Sequence, residues 1–274
     1  MNSEQLIKVS QEIRAKLVEL SHKTKTAHLA SALSCVDILV ALYWEILNIS
    51  PETSNDPQRD RFILSKGHGA PALFTALAVK GFFPINLLDT YAQEGSSLEE
   101  HPSPACVPGI DIATGSLGHG LSFGLGMAMS AKIKGEKQQH YILMGDGEIN
   151  EGSVWEAAML APAKGLNNVT AIIDFNKWQG TDRSCDIMFL ESIKQKWEAF
   201  GWETFEINGN DITSIVEVLK QDRKNKDKPT AIVAHTIKGK GVSFMEDDNN
   251  WHYRIPTFEE VGLAHKELGW KRIK

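Results

Sequence analysis

The chain has 274 residues, of which 42% are hydrophobic and 23% are charged, and its formal net charge is −6. This composition is typical of a globular protein, and the acidic balance argues against non-specific binding to nucleic acid or to anionic membranes. The three cysteines, Cys35, Cys106 and Cys185, are widely spaced, which predicts reduced thiols and neither a disulfide framework nor a zinc site. No signal-peptide pattern is present, and no apolar run reaches the roughly 18 residues of a membrane span. We therefore expect a cytoplasmic protein.

A long amphipathic helix is predicted at the start of the chain, because apolar residues recur at three- and four-residue steps over residues 3–21. Ser34 and Asp37 resemble a capping box, which predicts that a second helix covers Cys35–Ile46. The next predicted elements are a strand at 61–64, helices at 71–80 and 85–91, and a Gly- and Ala-rich helix that ends near Lys132.

The centre of the chain predicts a strand–helix–strand unit. One apolar run, residues 141–144, stops at the Gly-Asp-Gly tripeptide 145–147, and a second, residues 169–175, stops at Asn176. Apolar runs of this length that end at Gly or Asn are typical of buried strands in a parallel sheet. The helix-forming residues between them predict a helix over 153–164.

Asp146 and Asn176 are therefore expected at the carboxyl ends of two parallel strands, where open α/β sheets bind their ligands. A carboxylate and an amide carbonyl suit Mg²⁺, which takes one or two protein ligands together with phosphate oxygens. Gly145 and Gly147 allow backbone N–H groups to approach a phosphate closely. The pattern predicts a metal and diphosphate site at this edge of the sheet.

The rest of the chain continues the alternation of strands and helices. It predicts a helix at 211–220, a strand at 230–236 and a final helix at 259–268. Because no repeat or linker interrupts the alternation, we expect residues 1–274 to form a single α/β domain, doubly wound, with a mainly parallel sheet flanked by helices.

Four histidines stand beside glycines, prolines or loops at the ends of predicted strands: His28, His68, His101 and His252. A single histidine in such a place is usually a solvated or capping residue. Four of them in a domain that also carries a diphosphate and metal pattern favour proton transfer, since imidazole titrates near neutral pH.

Motifs across nearly the whole chain resemble the N-terminal, diphosphate-binding half of a transketolase, an enzyme that uses thiamine diphosphate (ThDP). They occur in the family's order, which makes the resemblance specific. The matched motifs are RDRFILSKGHG at 59–69, His101-Pro102, TGSLG at 114–118, Gly-Asp-Gly at 145–147 through Glu151-Gly152, Asn176, Gly201-Trp202, KPT at 228–230 and TIKGKG at 236–241.

The resemblance implies which residues would hold the cofactor and its metal. Mg²⁺ would bind the side chains of Asp146 and Asn176 and the main-chain carbonyl of Trp178. The implied cofactor-binding residues are His68 and the Gly147 amide at the diphosphate, Asn176 through the metal, Gly115, Ser116 and Leu117 along the cofactor, and His252 near the diphosphate or the substrate hydroxyls.

The resemblance also implies the catalytic residues. His28, His101 and His252 would face the substrate channel as acid–base and hydroxyl-binding groups. Glu151 would lie at a subunit contact, close to the residue that activates the cofactor. One departure stands out: His28 lies between Ala27 and Leu29, where the family usually has Gly-His-Pro or Gly-His-x-Gly. This departure predicts a reshaped substrate entrance.

The family's pyrimidine-binding domain, which carries the carboxylate that activates the cofactor, has no counterpart in residues 1–274. We therefore expect it on a separate C-terminal transketolase subunit, which pairs with this chain in a two-plus-two (α2β2) heterotetramer. The implied reaction transfers a two-carbon ketol unit from a ketose or its phosphate to an aldose or its phosphate.

Other interpretations stay open at this point. A 1-deoxyxylulose-5-phosphate synthase-like protein or a 2-oxoacid dehydrogenase α subunit would share the Gly-Asp-Gly and Asn pattern, but a decarboxylating enzyme has less need of several sugar-facing histidines. A non-catalytic assembly subunit would bind a partner and no cofactor. A dinucleotide-binding oxidoreductase is disfavoured because no GxGxxG follows a first strand.

Overall fold

Five parallel strands form the sheet of the computed structural model, which describes residues 1–104, 106–222 and 227–270. The strand order is β1-β2-β3-β5-β4, and every neighbouring pair is parallel. The strands are β1 (Arg61–Leu64), β2 (His140–Gly145), β3 (Val169–Phe175), β4 (Glu203–Asn208) and β5 (Thr230–His235). The predicted fold class is confirmed; residues 271–274 of the predicted domain lie outside the described residues.

Helices cover both faces of this sheet. They are α1 (Ser3–Thr24), α2 (Leu29–Ser34), α3 (Val36–Ala41), α4 (Ala70–Lys80), α5 (Gly120–Lys134), α6 (Gly152–Ala163), α7 (Ser184–Ile187), α8 (Ile193–Ala199), α9 (Ile212–Asp222) and α10 (Phe258–Glu267). Short 3₁₀ turns cover Gly67–Gly69, Ile85–Thr90, Glu148–Asn150 and Asn249–His252. Within the described ranges, no helix is both long enough and apolar enough to cross a bilayer.

The two faces of β2 belong to two separate apolar cores. Tyr141 and Leu143 pack into the core that contains α1 to α4, α9 and α10, whereas Ile142 and Met144 pack into the core that contains α5, α6 and α8. Side chains alternate along a strand, so a strand covered by helices on both sides must be apolar at every position. This requirement explains the continuous apolar run that predicted the strand.

The predicted capping box at Ser34 and Asp37 is wrong. Helix α3 begins at Val36 without a side-chain cap, and the chain continues from Leu42 as a short π-helical turn. The Ser34 hydroxyl instead donates to Asp174 at 2.6 Å, and Asp37 accepts hydrogen bonds from Arg14. Both side chains are buried, so tertiary partners, and not the helix start, satisfy them.

Strand β4 and helix α8 are absent from the sequence-based prediction. β4 lies at one edge of the sheet, with β1 at the other, and its only apolar side chains, Phe205 and Ile207, are half-buried. A strand with one covered edge and few apolar positions gives a weak sequence signal. The other four strands are confirmed to within one or two residues.

Candidate cofactor and substrate site

Asp146 and Asn176 lie at the carboxyl edge of the sheet, as predicted. They follow β2 and β3, which are adjacent parallel strands. The Asp146 carboxylate accepts hydrogen bonds from the Lys177 amide and the Ser184 hydroxyl, both at 2.8 Å, and from the Gly147 amide at 3.0 Å. These bonds tie the turn after β3 directly to the end of β2.

The chain turns sharply after Asn176. Lys177 adopts a φ of 70°, and the Asn176 side-chain oxygen accepts from the Trp178 amide at 3.1 Å. Asp146 is 1% exposed, and this burial raises the pKa of its carboxyl to about 6. A nearby cation would compensate for the burial of this carboxylate, so the arrangement suits a metal ion.

The surroundings of Gly147 fit a phosphate group. The described part of the chain holds no cluster of three His, Cys, Asp or Glu side chains that could bind a metal. The Gln179 amide nitrogen is buried and has no hydrogen-bond partner among the described residues. Gly147 lies against it: a Cβ at this position would be 3.1 Å from Gln179 Cγ. An unpaired buried donor beside a glycine suits an anion.

Three of the four predicted histidines form one cluster. The ring centroids of His28, His68 and His252 are separated by 5.6 Å (28–68), 5.1 Å (28–252) and 6.2 Å (68–252). The Tyr253 ring, 65% exposed, lies 4.5 Å from His252 and 5.8 Å from His28. The structure therefore places an exposed aromatic side chain beside the histidines.

Burial keeps these imidazoles neutral. It lowers the pKa of His28 and holds the pKa of His68 well below its ordinary value. The pKa of His252 falls to about 3, through burial and then through the charge of Lys238. Neutral imidazoles near pH 7 can both donate and accept hydrogen bonds to hydroxyl groups.

His28 is the residue for which the sequence departs from the family pattern. It adopts a φ of 66°, in the left-handed region, and its amide donates to the His252 carbonyl at 2.8 Å. That region is unfavourable for a residue with a side chain. The hydrogen bond to His252 fixes the strained backbone and joins two predicted catalytic residues.

The fourth histidine, His101, packs against a glycine-containing loop that also contacts the turn carrying His68. A Cβ at Gly115, where φ is 141°, would lie 2.9 Å from His101 Cδ2. A Cβ at Gly67 would lie 2.6 Å from the Gly115 nitrogen, so the turn that carries His68 packs on the same loop. Ser116 in this loop is exposed, and the neighbouring Leu117 is half-buried. Only glycine allows these backbones to approach so closely.

Glu151 lies just before α6 and is exposed, as a residue at a subunit contact would be in an isolated chain. A Cβ at Gly118 would lie 2.6 Å from Glu151 Cβ, so the loop before α5 packs against it. A nearby residue, Glu148, was not predicted from the sequence. This buried carboxylate accepts from the amides of Gly118 and Gly145 at 3.0 and 3.1 Å and from the Ser65 hydroxyl.

Lys238 is a second residue of the site that the sequence did not predict. Its ammonium group lies 2.9 Å from His252 Nδ1 and 2.6 Å from Asn249 Oδ1, and the residue is 1% exposed. Burial and the charge of Lys66 lower its pKa to about 8. It stands within the TIKGKG motif, but spacing alone could not show that its side chain turns inward.

A parallel sheet that gathers carboxylate, amide and imidazole groups at its carboxyl edge defines a doubly wound, ligand-binding α/β domain. The chain belongs to the transketolase family: residues 5–274 match the family described as "Transketolase, thiamine diphosphate binding domain".

Two relatives match over most of their length. The chain is 42% identical over 268 residues to one of the subunits of the apulose-4-phosphate transketolase of Phocaeicola vulgatus, and the match covers 98% of this chain and 95% of the relative. It is also 42% identical over 256 residues to a 6-deoxy-6-sulfo-D-fructose transketolase subunit of Clostridium sp., with 93% of each chain covered. The solved transketolase of Campylobacter jejuni superposes with a TM-score of 0.92 at 29% identity, over 100% of this chain but 44% of that one.

Proposed function

We propose that this chain is the diphosphate-binding, N-terminal subunit of a two-subunit transketolase. The reaction would transfer a two-carbon ketol unit from a ketose, or ketose phosphate, to an aldose or aldose phosphate. The observation that carries the proposal is the placement of Asp146 and Asn176 at adjacent strand ends, in a domain of the transketolase family whose cluster of neutral histidines lies at the same edge.

The proposed cofactor is ThDP with Mg²⁺. The cofactor supplies the nucleophilic carbon and the electron sink for cleaving the bond next to a carbonyl. Asp146 and Asn176 would ligate the metal through their side chains, and Trp178 through its carbonyl. The other cofactor contacts proposed are the His68 ring and the Gly147 amide at the diphosphate, and Gly115, Ser116 and Leu117 along the cofactor.

His28, His101 and His252 would act on the sugar hydroxyls. The pKa values of His28 and His252 are depressed, so their rings are neutral at physiological pH and can accept hydrogen bonds from the sugar hydroxyls. The proton lost from a hydroxyl as the ketose carbon–carbon bond breaks would pass through the histidine cluster and return on addition to the aldose. His28, His101 and His252 are half-buried, so sugar hydroxyls could reach their rings.

The partner proposed is a C-terminal transketolase subunit that carries the pyrimidine-binding domain, in an α2β2 heterotetramer. Residues 1–274 would be the diphosphate-binding domain of this cytoplasmic assembly. Two similar chains of comparable length are named as transketolase subunits, which supports the division into two chains. Glu151, exposed beside the loop that contains Gly115, would lie at the contact between subunits.

Titration calorimetry tests this proposal. ThDP and Mg²⁺ are added to the chain alone and then to the chain with a co-expressed C-terminal transketolase subunit. We expect tight binding only with the partner. Asp146→Ala should abolish binding because it removes a proposed metal ligand, whereas the exposed Asp186→Asn should leave the affinity within about twofold.

The other outcomes separate the alternatives. Full ketol transfer by the chain alone would overturn the two-subunit proposal. Pyruvate turnover with release of CO₂ would indicate a decarboxylating ThDP enzyme. Absence of ThDP binding even with the partner would indicate a non-catalytic assembly subunit.

A further inference from the structure

Two loops at the carboxyl edge of the sheet carry different parts of the proposed site. The metal loop, residues 176–184, follows β3 and contains Asn176 and Trp178. The histidine loop, residues 236–253, follows β5, the neighbouring strand, and contains Lys238 and His252. A contact between these two loops would make the position of the proposed metal ligands depend on the position of His252.

A carboxylate on the histidine loop provides such a link. Asp247 Oδ1 accepts from the Trp178 indole nitrogen at 2.8 Å and from one Arg183 guanidinium nitrogen at 2.6 Å, and Oδ2 accepts from the other at 2.7 Å. The Arg183 guanidinium also stacks on the Trp178 ring, 3.7 Å from its centroid. Asp247 therefore binds both members of a stacked pair.

Arg183 and Trp178 belong to one hydrogen-bonded turn of the metal loop. They face each other in an antiparallel bridge, closed by a hydrogen bond from the Gln179 amide to the Asp182 carbonyl at 2.9 Å. The next residue, Ser184, donates to the Asp146 carboxylate at 2.8 Å. A displacement of Arg183 would therefore shift the proposed metal ligands.

Asp247 is connected to His252 through Lys238. Its amide donates to the Lys238 carbonyl at 2.9 Å, and the Lys238 ammonium group lies 2.9 Å from His252 Nδ1. A second tie joins the loops near the same place, where the Lys238 ammonium group lies 3.5 Å from the Gln179 carbonyl. The chain of contacts from Asp146 to His252 is thus continuous.

The geometry of this contact sets it apart from an ordinary surface ion pair. Exposed ion pairs usually contribute little to stability. Here the arginine is bidentate and stacked, and the hydrogen bonds from Arg183 hold the pKa of the Asp247 carboxyl below its ordinary value. Asp247 also adopts a φ of 60°, an unfavourable backbone state that persists only where surrounding contacts fix it.

We propose that Arg183 and Asp247 are positioning residues that hold the histidine loop against the metal loop, so that metal and diphosphate binding and the placement of His252 depend on one another. This inference rests on the proposed function for the identity of the ligand. The contact between the loops is a property of the chain without ligand, which allows the two to be tested separately.

Amide hydrogen exchange of the chain without cofactor provides the first test. Arg183→Ala, a change in the metal loop, should speed exchange in peptides of the histidine loop by about tenfold. Asp247→Gly, which removes the carboxylate and tolerates the positive φ, should do the same in the metal loop. The matched control is Arg254→Ala: Arg254 also stacks on a tryptophan, Trp251 at 4.2 Å, and pairs with Glu260, but it does not bridge the loops.

The second test measures ThDP and Mg²⁺ in the complex with the C-terminal subunit. Arg183→Ala and Asp247→Gly should each weaken ThDP binding 10- to 100-fold, and the double variant should be no worse than either single one. Asp247→Asn, which keeps an acceptor for Trp178, should recover part of the affinity. Exchange confined to the mutated loop, with ThDP affinity within twofold of wild type, would overturn the proposal. If each variant speeds exchange in the opposite loop but the wild-type complex binds no ThDP, only the proposed function would be overturned.

Discussion

The Lys66 ammonium group lies 2.5 Å from the Asp174 carboxylate, and neither side chain is more than 1% exposed. Asp174 Oδ2 also accepts from the Ser34 hydroxyl at 2.6 Å, and Oδ1 accepts from the Thr236 hydroxyl. Burial is the main reason for the lowered pKa values of His68 and His252, and the charge of Lys66 lowers both further. The same buried lysine therefore contributes to the sheet and to the electrostatics of the histidine cluster.

Removing one member of this pair should be costly. Asp174→Ala leaves the Lys66 charge buried and unpaired, which should lower the free energy of unfolding by about 3–5 kcal/mol. Urea denaturation of the isolated chain measures this loss. Lys8→Ala, which breaks the exposed Lys8–Glu4 pair, should change it by less than about 0.5 kcal/mol. Equal effects of the two variants would contradict the buried ion pair.

His28 and His68 should differ in what they contribute to the complex with the partner. His68→Ala should weaken ThDP binding by about tenfold or more, because its ring is proposed to hold the diphosphate. His28→Ala should leave that affinity within about twofold but lower kcat about a hundredfold, since it is proposed to move protons on the substrate. Calorimetry and steady-state kinetics separate these effects. A reversed pattern would exchange the two roles.

His140 should make stability depend on pH. It is 1% exposed at the start of β2, neither ring nitrogen has a hydrogen-bond partner in the described structure, and burial lowers its pKa to about 4. Between about pH 6.5 and 4, His140 therefore binds a proton more readily in the unfolded chain than in the folded one. The free energy of unfolding is highest above about pH 6.5 and decreases as the pH falls through this interval. The loss from this residue should reach about 3 kcal/mol.

Urea denaturation at about pH 7, 6 and 5 measures the effect of His140. His28, His68 and His252 also have lowered pKa values and act in the same direction, so the informative comparison is with His140→Leu. The variant should lose less stability than the wild type over this interval. Parallel pH profiles would show that His140 titrates normally in the folded protein.

Substitution by alanine should be harmful at Gly67 and stabilising at Gly126. At Gly67 a Cβ would lie within 2.8 Å of the backbone at 114–115, so Gly67→Ala must displace the loop proposed to line the cofactor and should weaken ThDP binding at least tenfold. At Gly126, inside α5, a Cβ meets no atom within 4 Å. Gly126→Ala should raise the free energy of unfolding by about 0.5–1 kcal/mol. Calorimetry measures ThDP binding by Gly67→Ala, and thermal unfolding measures the stability of Gly126→Ala.

The sequence alone determined the elements whose local signal and burial agree. The apolar run 141–144 indicated a strand covered on both faces, and its stop at Gly-Asp-Gly placed Asp146 at the edge where ligands bind. The same argument placed Asn176 beside it. The pattern could not predict β4, because polar residues separate its two apolar side chains, nor the true partners of Ser34 and Asp37.

Only the tertiary structure decided which distant side chains meet. The sequence marked His28, His68 and His252 separately, but their contact depends on loops that converge from α2, β1 and β5. Lys238 and Asp247 gave no local signal, because their roles depend on partners far away in the chain. Periodicity indicates which face of a helix or strand a side chain occupies. The charge and hydrogen bonding of a buried group depend instead on residues that only folding brings close to it.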